Sequence, residues 1–124
     1  MRIATMNYLS GLINNTGIPC HYMEWRGILP ETYWTWEYTE SPSMTLKENG
    51  YQETSVILRG FTSGEWLRLE EGKEKIEKAC GRTAILQDGT GVAVSYDAAM
   101  VVPTGDAQLK SIKINLTIQE WKVN

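Results

Sequence analysis

Hydrophobic positions along this chain change period three times. From residue 2 to 15, Ile3, Met6, Leu9 and Ile13 recur at helical spacing with Leu12 beside them, which predicts a short amphipathic helix. Asn15, Thr16 and Gly17 stop it, and Pro19 prevents its return. Residues 18–25 read as a first extended piece. The period then drops to two. In YWTWEY at 33–38, Trp34, Trp36 and Tyr38 share one face, and Tyr33, Thr35 and Glu37 share the other, as on a strand. ETSVILRGF at 53–61 supplies the return strand. Between them TESPSMTLKENGYQ at 39–52 is polar and carries Pro42, Asn49 and Gly50, which predicts a long, mobile hairpin connection.

A second helix is predicted over 63–80. Thr62-Ser63-Gly64-Glu65 has the spacing of a capping box, and Leu69, Ile76, Ala79 and Cys80 form an apolar stripe joined near its start by Trp66. Glu71–Lys75 and Glu74–Lys78 are spaced to pair on the wet side, and Gly81 sits where a left-handed residue ends a helix. The last third is β. RTAILQ at 82–87 and GVAVSY at 91–96 flank Asp88-Gly89, a tight-turn signal. A looser stretch ends at the turn Pro103-Thr104-Gly105-Asp106. The longest strand spans 107–123, with Ile112, Ile114, Leu116 and Ile118 alternating with Lys113, Asn115, Thr117 and Gln119. Trp121 and Val123 then fall on the opposite face, so the pattern implies a bulge near Gln119-Glu120 or pairing of the strand's end outside the domain. The element order α-β-β-α-β-β-β predicts an α+β two-layer sandwich: a mostly antiparallel sheet of about five strands with two helices on one face. Residues 1–124 form one domain with no internal repeat.

Composition narrows the class. Apolar residues make up 42% and charged residues 22% of 124 positions, a globular balance. A formal charge of −3 argues against broad nucleic-acid binding, which needs an excess of cations. Two cysteines do not make a disulfide framework, and Cys80 reads as a buried thiol. Asn7 and Ser10 interrupt the first apolar run, and no stretch has the length of a membrane span. The expectation is a soluble protein made in a reducing cytoplasm. Five Trp and six Tyr against one Phe favour edges and interfaces, because both rings carry a polar atom on an apolar body.

The residues offer little catalytic chemistry. His21 is the single histidine, and Cys20 beside it would point to the opposite face of a strand. Cys80 is far off in the chain. Two Cys and one His, unclustered, do not meet the ligand demand of zinc. Glu65, Glu70, Glu71, Glu74 and Glu77 alternate with lysines on one helix, the pattern of a solvated face. Gly89-Thr90-Gly91 lacks the Gly-Lys-Ser/Thr of a phosphate loop and precedes a strand. No enzyme activity, metal or cofactor is expected.

Three passages carry a resemblance: YWTWEYTESP at 33–42, GFTSGEWLRLEEGKEKI at 60–76, and GRTAILQDGTGVAVSYDAAMVVPTGDAQLKSIKINLTIQEWKV at 81–123. Together they resemble the tail-terminator, or tail-completion, proteins of long-tailed bacteriophages and prophages. The resemblance spans most of the chain from about residue 30. It implies a structural protein that forms a ring, commonly of six copies, at the head-proximal end of the tail tube. Such a ring stops tube polymerisation and offers a head-joining surface. The implied partners are further copies, the tail-tube protein and the head–tail connector protein. DNA would be met only as it passes through the ring, and no membrane is involved. The implied location is the host bacterial cytoplasm during assembly and the virion tail afterwards.

A ring needs two different complementary patches on each subunit. The interface candidates are Trp34, Trp36 and Tyr38 on one strand face, Met44 and Leu46 in the polar connection, and Trp121 at the end of the last strand. If Trp34 faces a partner, Trp34→Ala impairs assembly while the fold survives; each aromatic has core packing as its ordinary alternative. The competing functions are a head-closure or connector-adaptor protein and, in a different class, a small ligand-binding domain lined by Trp and Tyr.

Overall fold

The computed structural model describes residues 1–40 and 51–122. In chain order the elements are α1 (Ile3–Asn15), β1 (Cys20–Tyr22), β2 (Thr32–Glu40), β3 (Tyr51–Thr62), α2 (Trp66–Ala79), β4 (Arg82–Ile85), β5 (Thr90–Val102) and β6 (Lys110–Lys122). The strands form one six-stranded sheet in the order β1-β2-β3-β6-β5-β4. All neighbours are antiparallel except β1, which lies parallel to β2. The α+β class agrees with the sequence; the strand count does not. The piece predicted at 18–25 condenses into a true edge strand, because Cys20, His21 and Tyr22 pair with Trp34, Thr35 and Trp36. The predicted 39–52 connection falls outside the described residues except at its ends. There Thr39 and Glu40 lengthen β2, and Tyr51 and Gln52 open β3.

Alternation decides which face is covered. Ile112, Ile114, Leu116 and Ile118 of β6 point to the helix side with Val56 and Leu58 of β3, Trp34 and Trp36 of β2, and Val92 and Val94 of β5. Leu9 and Ile13 of α1 and Leu69 and Ile76 of α2 close over them. Burying such a side chain contributes roughly 1.5–3 kcal/mol, so this cluster dominates the favourable side of folding. The centre of the packing is the Trp34 indole. A Cβ on Gly60 would come within 2.7 Å of that ring, and one on Gly72 within 2.8 Å. Glycine on the strand beneath and on the helix above therefore makes the slot the indole fills.

Three local expectations change. The predicted capping box does not form, and α2 begins at Trp66 behind Glu65 with no side-chain cap. The Thr62 hydroxyl is already committed: it shares a hydrogen bond with the Thr32 hydroxyl at 2.8 Å and accepts from the Gly64 N–H at 3.1 Å. The ion pairs of α2 run at i,i+3, with Arg68–Glu71 at 3.5 Å and Lys73–Glu70 at 2.6 Å, in place of the predicted i,i+4 pairs. The bulge lies in β5 between Tyr96 and Ala98, and β6 pairs with β3 in unbroken register from Lys110 to Trp121. Asp97 is the extra residue, and it accepts a hydrogen bond from the Thr117 hydroxyl.

The expected slip at Gln119-Glu120 is in fact a buried carboxylate. Glu120 keeps the parity of the core residues and is 2% exposed. Its Oε2 accepts from the Thr5 hydroxyl at 2.6 Å and from the Arg2 backbone N–H at 3.1 Å. A negative group thus meets the positive end of α1, where the N-cap residue Arg2 supplies no cap of its own.

Candidate assembly surfaces

The sequence candidates separate once placed. Trp34 and Trp36 are 1% and 4% exposed, so their side chains belong to the subunit's own core. Tyr38 is half-buried against that core and stacks on Tyr22 with ring centroids 6.3 Å apart. Met44 and Leu46 lie outside the described residues. Trp121 is half-buried on the face away from the helices, laid over Gly91, where an added Cβ would fall 2.2 Å from the indole.

The helix-free face carries a feature that strand alternation alone did not single out. His21 packs tilted against Trp25 with ring centroids 4.1 Å apart, Trp25 packs tilted against Tyr33 at 5.8 Å, and Tyr33 stacks on Phe61 at 5.2 Å. This row of half-buried rings crosses β1, β2 and β3 at one end of the sheet. Beside it the segment between β1 and β2 exposes Met23, Ile28 and Leu29, and Ile28 is 96% accessible. The sequence placed Tyr33 on the face opposite Trp34 and showed Trp25 only as the end of an extended piece; the register that sets Phe61 beside Tyr33 was not legible in it.

The lateral edges are also open. β4 pairs only with Gly91–Val94 of β5, so among the described residues nothing pairs with the outer side of β5 from Ser95 to Val102. Met100 is 50% and Val101 60% exposed there. A shallow hollow of about 460 Å³ adjoins this edge, with Trp66, Val101 and Leu109 among its walls. On the other side, β1 ends the sheet.

Chemically, the thiols are quiet. Burial pushes the Cys20 thiol up to about 12 and the Cys80 thiol up to about 11, far from the thiolate that nucleophilic chemistry requires. Cys20 and His21 point to opposite faces, as their adjacency on a strand demands. Among the described residues no three His, Cys, Asp or Glu side chains gather as metal ligands, and no helix is long and apolar enough to cross a membrane.

No protein-family model matches the chain, and no curated protein matches it. Solved structures share its fold. One, described as the virion of a native gene transfer agent (GTA) particle, superposes with a TM-score of 0.68 at 14% identity, covering 89% of this chain and 84% of that one. A second solved chain superposes with a TM-score of 0.65 at 12% identity, over 98% of this chain and 93% of the other. Identities this low establish a common fold. The layout read from the sequence, a sheet with both helices on one side, is therefore a layout that a virion-particle chain also adopts.

Proposed function

We propose that this chain is a structural subunit of a phage-like virion, and that it acts as the tail terminator: a ring of copies that caps the tail tube and presents a surface to the head. The observation that carries this reading is the shared fold with a virion-particle chain over 89% of the residues. The surface chemistry supports it. Aromatic rings line a helix-free sheet face, strand backbone is open on two sides, and the thiols are held protonated. Such features suit recognition by packing and strand pairing. No chemical step is assigned to the protein. Termination follows if one side of the ring matches the tube and the other does not, so that the next tube subunit finds no complementary patch.

Particles produced without this protein test the assignment. Overlong tails are the expected result. Normal tails beside tailless heads that leak DNA would make it a head-side adaptor, and unaltered infectious particles would remove it from tail assembly.

A further inference from the structure

We infer that neighbouring copies of this chain join edge to edge, β1 of one copy adding antiparallel to the free half of β5 in the next. The inference deepens the ring reading above and rests on it only for the closing of the chain of copies.

The register of the sheet carries the argument. Reading across the strands, Cys20, Trp34, Gly60, Ile112 and Val101 form one row. His21, Thr35, Arg59, Lys113 and Met100 form the next, and Tyr22, Trp36, Leu58, Ile114 and Ala99 the third. The three residues of β1 therefore stand level with the stretch of β5 that β4 leaves open. β1 runs with β2, and β5 runs against both once the three antiparallel steps between are followed. Two copies set side by side in the same orientation thus oppose β1 and β5 in the antiparallel sense, the better-bonded geometry. Core-facing positions stay on one side of the joined sheet: Cys20 and Tyr22 meet Val101 and Ala99, and His21 meets Met100.

Charge selects a second copy as the occupant. None of the six residues in the opposed rows is an acid, lysine or arginine, so nothing in them repels. Beyond them, β4 occupies the same lateral position as the incoming β1, and Arg82 of β4 lies on the row of Val94, Ile118, Thr54 and Glu40. The joined arrangement sets the incoming copy's Glu40 beside Arg82. Arg82 is exposed and forms no ion pair among the described residues, while Glu40, its side chain 35% exposed, pairs through Oε1 with the chain's own N-terminal ammonium. The two edges of one molecule differ, so the contact is head-to-tail and propagates to a ring when the rotation closes. Three residues of added strand bury far less than the roughly 1,200–2,000 Å² of a stable pair. Single contacts are therefore fleeting in solution, and closure around a tube end makes them persist by acting together.

Disulfide trapping reads this directly. Cα atoms opposed across antiparallel strands lie about 4.5–5.5 Å apart, within disulfide reach. In a Cys20→Ser, Cys80→Ala background, which removes the two unreactive native thiols, His21→Cys is placed opposite Met100→Cys of the next copy, and purified protein is oxidised with copper–phenanthroline at pH 8.5. The expected product is a reducible ladder of multimers that requires both cysteines. Arg82→Glu should cut its yield several-fold, and Glu40→Arg added to it should restore the yield. A folded protein carrying both new cysteines that stays monomeric overturns the inference. Dimers formed by Met100→Cys without His21→Cys would place β5 against β5 and also overturn it, as would a yield blind to both charge changes. Tail capping by the same proteins is scored separately. Trapping without capping sinks the terminator reading alone, and capping without trapping sinks the edge contact alone.

Discussion

At the scale of single residues, one carboxylate explains the largest misreading of the pattern. An acidic residue at 120 reads as the point where alternation fails, because period-two reasoning assigns polar side chains to solvent. Its partners Thr5 and Arg2 lie 115 and 118 positions away, and no local window contains them. Glu120→Ala leaves the buried Thr5 hydroxyl and the partly buried Arg2 N–H without an acceptor, which costs about 1–3 kcal/mol. Urea unfolding of Glu120→Ala, Thr5→Ala and the double variant should give a coupling energy of about 1.5–3 kcal/mol, the range for a hydrogen bond to a charged group; additive losses would show the contact to be idle. The thiols give a pH signature. Burial raises both above the ordinary thiol value of 9.0, to about 12 for Cys20 and about 11 for Cys80. A raised folded-state value means stability is fully present below pH 9 and lost as pH climbs through 11 to 12. The urea midpoint should therefore fall from pH 8 to pH 10.5, and a Cys20→Ala, Cys80→Ala protein should fall less. Iodoacetamide should label the native thiols slowly at pH 8 and quickly in denaturant.

At the scale of elements, alternation located strands 33–38, 53–61 and 107–123 and the helix after residue 62, because each has a long periodic signal. It did not say which face of β2 is inside. That choice is made by Gly60 and Gly72, which open room for Trp34 from two other elements. With the indole filling that slot, Trp34→Ala is a core truncation costing about 3–5 kcal/mol, and circular dichroism should show the fold weakened before assembly is at issue. Gly60→Ala should cost about 1–3 kcal/mol by overpacking, and less when Trp34→Phe is present, since the shorter ring vacates the space. β5 offers a sharper case. The sequence pattern ends the strand at Tyr96 and leaves a looser stretch up to Pro103, whereas β5 runs on to Val102 with its parity shifted by the extra residue Asp97. Deleting Asp97 preserves every pair on both sides of it, so the variant should fold, with a straighter β5. Deleting Ala93 instead forces the flanking residues across the sheet, turns a buried valine outward, and should abolish the cooperative urea transition.

At the scale of the whole molecule, the order along the chain and the order of the sheet are at odds. β6 follows every other described element along the chain, yet it lies third from one edge and fourth from the other, between β3 and β5. It also contributes Ile112, Ile114, Leu116 and Ile118 to the core and Glu120 to the cap of α1. Without β6, the β1-β2-β3 and β4-β5 groups have no ladder between them, and the helices close over a split floor. Length and composition raise the expectation of a single domain, but this dependence comes from topology, which sequence order does not display. Loop-closure entropy must be met before such distant pairings stabilise anything, so no stable partial fold is expected before β6 arrives. A chain ended after Leu109 should therefore lack a cooperative urea transition and the protease resistance of the intact protein. Supplying residues 110–124 as a separate peptide should restore both, because the vacant position between β3 and β5 offers hydrogen-bond partners on two sides and an apolar face beneath the helices. If the shortened chain instead unfolds cooperatively by itself, β6 is an addition to a finished core, and the central place assigned to it in folding is mistaken.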